Sequence, residues 1–158
     1  MAAQLALGAA LVLAVSLATP ALAQDLDAGK RLYKRAECAT CHGWAGDNGE
    51  GRTDTNPKTP TIRASKMDQL QLFDTIRCSK PFGEMPFYER LGYTDERCYG
   101  FRAVDVPGVV PPLSNNWLSR AEITLLVEYL QTKVTGRGAP TFEECEEYFG
   151  PNTASCQK

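Results

Sequence analysis

Apolar residues recur at helical spacing in three segments of the chain, and no segment alternates cleanly enough between apolar and polar residues to predict a strand. In the first segment, Leu26, Gly29, Leu32 and Ala36 follow one another at intervals of three or four. That spacing places them on one face of a helix, so we predict an amphipathic helix over residues 26–37.

Two further helices carry start signals as well as periodicity. The second is predicted over residues 65–77, where Ser65 and Asp68 form an S-x-x-D start. The third begins with a capping box of Ser119 and Glu122, because each side chain can bind the other's backbone N–H, and it stops near Gly136.

Long stretches rich in glycine and proline separate these helices. Residues 43–62 and residues 79–112 are predicted to be loops, since glycine, proline, asparagine and aspartate interrupt regular structure there. The fold class is therefore all-α, small and loop-rich. Three short helices give a modest core, which a bound cofactor would fill.

The start of the chain is unlike the rest. Residues 1–23 contain no charged side chain and end in Ala21-Leu22-Ala23 after an apolar run. This pattern predicts a secretory signal peptide cleaved after Ala23, which would place the protein in the periplasm. The alternative is an uncleaved membrane anchor, but the apolar run is shorter than the ~20 residues that a spanning helix needs. We divide the remainder into a domain of residues 24–140 and an acidic extension of residues 141–158.

The charge of the chain does not favour nucleic acid as a binding partner. The net charge is −2 and no long basic run occurs, so nucleic acid is not an expected partner. The extension carries four glutamates between residues 143 and 147. They either steer a basic partner or form a solvated face.

The chemistry resides in residues 38–42, which read Cys-Ala-Thr-Cys-His. This spacing is typical of covalent haem attachment. Cys38 and Cys41 can each add to one vinyl group of the same macrocycle, and His42 then places an imidazole beneath the iron. We predict one covalent haem c, attached by the cytochrome c maturation machinery of the cell.

Three other readings of this motif fit less well. A zinc site needs two more ligands, and the chain has neither a second C-x-x-C nor a second histidine. A redox dithiol of the thioredoxin type expects a strand before the motif, where a helix is predicted. A plain disulfide between Cys38 and Cys41 would leave His42 unexplained.

The sixth iron ligand is predicted to be Met85. With His42 the only histidine, ligation by two histidines of this chain is excluded, and methionine is the usual alternative. Met85 lies in a loop stiffened by Pro86. Met67 lies at helical spacing before Leu70 and is interpreted as a core residue.

These residues resemble the class I c-type cytochromes. The similar parts are residues 29–33 leading into the haem motif, the Met85–Pro86 loop, and the closing helix around residues 123–130. The resemblance implies that the first and closing helices cross around one haem, with Gly29 close to Tyr129. It also implies that a proline carbonyl accepts a hydrogen bond from His42, and Pro60 matches that position better than Pro57.

The chain departs from this family in an inserted loop between Met85 and Ser119 and in the C-terminal tail. Both additions contain cysteines, and the four that remain allow three pairings. We expect Cys78–Cys98 to clasp the Met85 loop, and Cys145–Cys156 to close the tail.

The function that the resemblance implies is that of a periplasmic one-electron carrier between redox partner proteins, without enzymatic activity. A narrower version makes the protein the acceptor of a quinoprotein alcohol dehydrogenase. One alternative is a haem subunit of a larger oxidoreductase complex, attached to the membrane if the signal stays uncleaved. Another is a haem peroxidase or ligand-binding protein, which would need an open sixth position.

Overall fold

The computed structural model describes residues 19–49 and 59–157, and within these ranges the chain forms helices but no strand. The α-helices are α1 (Thr19–Arg35), α2 (Cys38–His42), α3 (Gln69–Cys78), α4 (Arg120–Lys133) and α5 (Phe142–Phe149). Two short 3-10 helices cover Ala103–Asp105 and Ala154–Cys156. The predicted all-α class is confirmed. Of the helices in the described ranges, none is both long and apolar enough to cross a membrane.

Helix α1 extends across the predicted cleavage point. It begins at Thr19 and ends at Arg35, two residues before the predicted end. Residues 1–18 of the predicted signal peptide lie outside the described residues. Cleavage after Ala23 therefore remains a prediction, and it would leave residues 24–35 to form the first helix.

Helices α1 and α4 pack against each other where α1 has no side chain. Gly29 lies against Leu125 and Tyr129 of α4, as the resemblance implied. This close approach brings the apolar faces of both helices into one core, to which α3 also contributes. We call it the main core; its buried members include Leu32, Tyr33, Leu72, Ile76, Ile123, Leu126, Val127 and Leu130.

Capping boxes fix the starts of α3 and α4. The Ser119 and Glu122 box of α4 is confirmed. The predicted start of α3 at Ser65 is wrong: Asp68 is the N-cap, and its carboxylate accepts a hydrogen bond from the backbone N–H of Gln71. In return, the Asp68 backbone N–H donates to the Gln71 side-chain oxygen at 3.0 Å, so the box runs from Asp68 to Gln71.

The loop between α3 and α4 has a small core of its own. This second core consists of Cys78, Phe87, Tyr93 and Cys98. One isolated parallel bridge between Phe87 and Leu113 holds the two ends of the loop together. Trp117, just before α4, is 46% exposed and lies beneath the guanidinium of Arg90.

The C-terminal extension is not a free tail. Helix α5 was not predicted, although Thr141 and Glu144 form a capping box at its start. Tyr148 of this helix is buried in the main core, edge-on to Tyr33 with ring centroids 6.4 Å apart. Helix α5 therefore belongs to the packed body that surrounds the motif.

Candidate haem site

Helix α2 presents the two cysteines of the motif on one face. Glu37 adopts a left-handed conformation, φ 57°, which interrupts the helical backbone between α1 and α2. Residues three apart on a helix lie on the same side, so Cys38 and Cys41 project together. Neither is paired with another cysteine; Cys38 packs against the main core and Cys41 is exposed. Cys38 and Cys41 therefore do not form the disulfide that was one alternative for this motif.

His42 is oriented by the Pro60 carbonyl. Its Nδ1 lies 3.1 Å from the Pro60 oxygen, and because a carbonyl only accepts, Nδ1 carries the proton. The remaining ring nitrogen, Nε2, is then the one with a lone pair. Burial lowers the pKa of His42, while the hydrogen bond to Pro60 acts in the opposite direction. A neutral imidazole with a second partner fixing its orientation is the usual state of a metal-ligating histidine. Pro57, the other candidate, lies outside the described residues.

Two hydrogen bonds hold the residues that follow His42. The Tyr33 hydroxyl of α1 donates to the Gly43 carbonyl oxygen at 2.7 Å, and the Asn48 backbone N–H donates to the His42 carbonyl at 2.8 Å. Gly43 has φ 76°, in the left-handed region that glycine tolerates best. Sequence reasoning assigned Tyr33 no role in the site; its position five residues before Cys38 was the available signal.

The loop that carries Met85 is fastened beside the motif. Met85 is half-buried and packs against the main core, and its carbonyl oxygen accepts a hydrogen bond from the Ser79 hydroxyl at 2.6 Å. Three residues later, the Tyr88 hydroxyl donates to the carbonyl of Ala36, two residues before Cys38, at 3.0 Å. Burial raises the pKa of the Cys38 thiol to about 12 and also raises the pKa of Tyr88. The structure therefore gathers Met85, Tyr88 and Cys38 around one core.

Met67 has a local partner instead. Its sulfur accepts a hydrogen bond from the Thr75 hydroxyl at 3.8 Å, and its side chain packs on the main core. This arrangement agrees with the structural role expected for Met67. Ligation of iron by His42 and Met85 stays a prediction.

The other four cysteines lie in two pairs. The Cα atoms of Cys78 and Cys98 are 5.5 Å apart, and those of Cys145 and Cys156 are 5.7 Å apart. Both separations suit a disulfide. Cys78 directly precedes Ser79, so the first pair is connected through one residue to the Met85 backbone.

A buried arginine that sequence reasoning missed lies on the His42 side of the site. Arg63, only 5% exposed, follows the Pro60 segment and pairs with Glu144 of α5, Nη2 to Oε2, at 2.9 Å. Two more of the acidic residues of α5 also have partners: Glu147 pairs with Lys133, and Glu146 accepts from the Asn152 backbone. Much of the acidic segment is thus used within the molecule and not left as a solvated face.

Residues 24–100 match the family model described as cytochrome c oxidase, cbb3-type, subunit III. This match indicates a c-type cytochrome domain. No curated protein and no solved structure gives a significant match. A c-type cytochrome domain implies a haem c cofactor, electron transfer and redox partner proteins, generally without enzymatic turnover.

The residues present fit haem c. Two unpaired thiols share one face of α2, and the adjacent imidazole is held with Nε2 free to bind iron. Within residues 19–49 and 59–157, no three or more His, Cys, Asp or Glu side chains are grouped to hold a bare metal ion. The cytochrome domain therefore has the donors that a macrocycle-bound iron needs from the protein.

Proposed function

We propose that this protein is a periplasmic one-electron carrier with a single haem c. The haem would be attached through Cys38 and Cys41 and ligated by His42 and Met85. The observation that carries the proposal is the hydrogen bond from His42 Nδ1 to the Pro60 carbonyl, immediately behind two unpaired cysteines on the same helix.

Each of these residues has a separate task. The bound haem would supply an iron that changes between its ferric and ferrous states by one electron. Cys38 and Cys41 would hold the macrocycle by thioether links, so it could not dissociate between reactions. The Pro60 carbonyl would keep the His42 ring in one orientation, and the packed main core would exclude water, so little would need to rearrange when the charge changes.

Export and disulfide formation belong to the same proposal. We infer that the chain is cleaved after Ala23 and released into the periplasm. An oxidising compartment allows disulfides to persist. The short Cα separations within the pairs Cys78–Cys98 and Cys145–Cys156 support their oxidation there.

The partners follow from the same chemistry. We propose that a dehydrogenase or other donor reduces the protein and that an oxidase or other acceptor reoxidises it. A quinoprotein alcohol dehydrogenase is one such donor. The maturation machinery of the host would act earlier, when the haem is attached.

A second function is favoured by the description of the matching family, which names an oxidase subunit. In that case the protein would be a haem subunit fixed in a larger complex, with an uncleaved N-terminal anchor. Locating the mature N-terminus separates the two. A periplasmic protein beginning at Gln24 supports the carrier, and a membrane-bound chain beginning at Met1 supports the subunit.

The decisive experiment is expression of the full chain in cells that mature c-type cytochromes. We expect one haem per chain by pyridine haemochrome, resistant to acidified acetone, in a low-spin spectrum. The matched controls are Cys38→Ala and Cys41→Ala, each of which should leave only one thioether link, and the double variant, which should lose its haem. A colourless protein with free thiols at both positions would refute the proposal.

The remaining alternative is a peroxidase or ligand-binding protein. Such proteins need an open sixth position on the iron. We expect carbon monoxide to leave the spectrum of the reduced protein unchanged and peroxide to be turned over no faster than by free haem. Rapid carbon monoxide binding by the wild-type protein would favour the alternative.

A further inference from the structure

Arg63 is tied to three separate parts of the chain by its side chain. Its Nε donates to the Gly138 carbonyl at 2.7 Å, in the segment between α4 and α5. One Nη donates to the Ala45 carbonyl at 3.3 Å, three residues after His42. The other Nη donates to the Glu144 carboxylate at 2.9 Å. A planar guanidinium is suited to this task because its donors are fixed in direction.

The backbone of Arg63 strengthens the same connections. Its N–H donates to the Gly46 carbonyl at 2.9 Å, and its carbonyl accepts from the Gly136 N–H at 2.9 Å. Arg63 therefore binds both Ala45 and Gly46, which follow His42. Pro60, the hydrogen-bond partner of His42, lies three residues before Arg63 in the same loop segment. The two segments that meet at the His42 ring are thus joined a second time by one buried side chain.

Helix α5 provides a firm support for the Glu144 end of this pair. Tyr148 fixes the helix in the main core, and the Trp44 ring lies against the Tyr148 ring at a tilt of 44°, with ring centroids 5.9 Å apart. Lys30 of α1 donates to the Glu147 carbonyl at 3.0 Å, and Lys34 donates to the Tyr148 carbonyl. Cationic side chains at the last carbonyls of a helix satisfy groups that have no partner within it.

We propose that Arg63 is a positioning residue for the proximal ligand, held in place by Glu144, and that their charge pair contributes to setting the reduction potential. The inference rests on the proposed binding of haem through His42. Glu144 lies beyond the end of the family match at residue 100. The C-terminal extension would therefore give this chain a control over its haem site from outside the matched region.

The sign of the electrostatic effect follows from burial. The Arg63 side chain is 6% exposed and the Glu144 side chain 18%, so water screens neither charge well. Oxidised haem carries one more positive charge than reduced haem. Removing the carboxylate leaves a buried cation that disfavours the oxidised state, which raises the reduction potential. Removing the guanidinium takes away a buried cation and leaves the partly buried Glu144 carboxylate with the more exposed Arg137, 3.5 Å away, so the potential falls.

The experiment compares Glu144→Gln and Arg63→Gln in the haem-loaded protein, with Glu147→Gln as the matched control. Glu147 lies one turn further along α5, and its carboxylate pairs with Lys133 at the surface. The two readouts are the midpoint potential and the solvent exchange rate of the His42 Nδ1 proton, measured by NMR of the reduced protein. Arg63→Lys, which keeps the charge without the fork of donors, separates position from charge.

We expect proton exchange to accelerate at least tenfold in Glu144→Gln, Arg63→Gln and Arg63→Lys. The reduction equilibrium should shift at least threefold, about 28 mV for one electron, upward in Glu144→Gln and downward in Arg63→Gln. Glu147→Gln should resemble the wild type. Two outcomes would overturn the inference. In one, the midpoint potential shifts in the same direction in Glu144→Gln and Arg63→Gln, as simple loosening of the site would cause. In the other, Glu144→Gln cannot be distinguished from Glu147→Gln. Failure of the proposed function is recognised separately, because the wild-type chain would then carry no covalent haem.

Discussion

Gly29 of α1 lies directly against Tyr129 of α4. A Cβ atom added at residue 29 would overlap the Cβ of Tyr129 and would lie 2.5 Å from the carbonyl oxygen of Leu125. The second contact is with backbone, which cannot turn aside as a flexible side chain can. The distance between the two helices is therefore set by the absence of a side chain at this one position.

Gly29→Ala should lower the free energy of unfolding by about 3 kcal/mol, the upper end of the cost of overpacking, because the helices must separate. Urea denaturation followed by circular dichroism measures the change. The control is Gly138→Ala, where the described part of the chain places no atom within 4 Å of the added Cβ apart from the sequence neighbours, and φ is not left-handed. Equal stability of the two variants would show that α1 and α4 do not meet as described.

Replacing Met85 should change the iron ligation, whereas replacing Met67 should not. Met85→Leu removes the proposed sulfur ligand but keeps an apolar side chain on the main core. We expect loss of the methionine-to-iron band, a lower midpoint potential and binding of carbon monoxide, since methionine ligation raises the potential. Met67→Leu should keep the wild-type spectrum, because the Met67 sulfur accepts its hydrogen bond from Thr75 in the described structure. The reverse result would reassign the ligand to Met67.

Opening either proposed disulfide should destabilise the fold, but only one should affect Met85. The variants are Cys78→Ala with Cys98→Ala, and Cys145→Ala with Cys156→Ala. Each should lose about 3 kcal/mol of unfolding free energy, from the entropy gained by the unfolded chain. Because Cys78 adjoins the Ser79 that binds the Met85 carbonyl, only the first variant should lose methionine ligation at a lower pH.

An alkaline titration of the methionine-to-iron band measures this difference directly. The second variant serves as the control for general loss of stability. If both variants and the wild type lose the band at the same pH, the Cys78–Cys98 pair does not stabilise the ligand loop.

The capping box of α4 should make a pH-dependent contribution to stability. Hydrogen bonds from the Ser119 backbone and hydroxyl, followed by the Arg35 guanidinium, hold the pKa of Glu122 below its ordinary 4.5. A group whose pKa is depressed by folding stabilises the fold above the unfolded pKa and loses that effect as the pH falls through the folded value. Glu122→Gln should cost about 0.5–1 kcal/mol at neutral pH, because the box is partly exposed.

Denaturation of the wild type and Glu122→Gln over a range of pH measures that contribution. The difference in unfolding free energy should shrink as the pH falls below 4.5. Glu128→Gln removes a carboxylate from the same helix outside the capping box, and its effect should be smaller. A difference between the wild type and Glu122→Gln that stays constant with pH would contradict the role of the ionised carboxylate.

Local signals in the sequence predicted much of this structure. The Ser119–Glu122 box marks the start of α4, and the Cys38–His42 motif marks the site, since each depends on residues within five positions of one another. The start of α3 was misplaced because Ser65 and Asp68 imitate a capping box. Asp68 and Gln71 form the real one, since aspartate can cap a helix as serine does.

Contacts between distant residues could not be predicted in this way. Arg63 and Glu144 are 81 positions apart, and neither residue is unusual in its local sequence. Helix α5 was missed because its four glutamates conceal a short apolar face that includes Cys145 and Tyr148. What buries that face is the main core itself, which forms only when the chain has folded.

The burial of Tyr148 limits where this protein can be shortened or extended. A fragment ending at Pro140 would leave the rings of Tyr33 and Trp44 facing water and would deprive the Arg63 guanidinium of its carboxylate. Truncation is tolerated where the lost segment is neither buried nor hydrogen-bonded, and α5 is both. An affinity tag or a fusion partner should therefore be joined after Cys156.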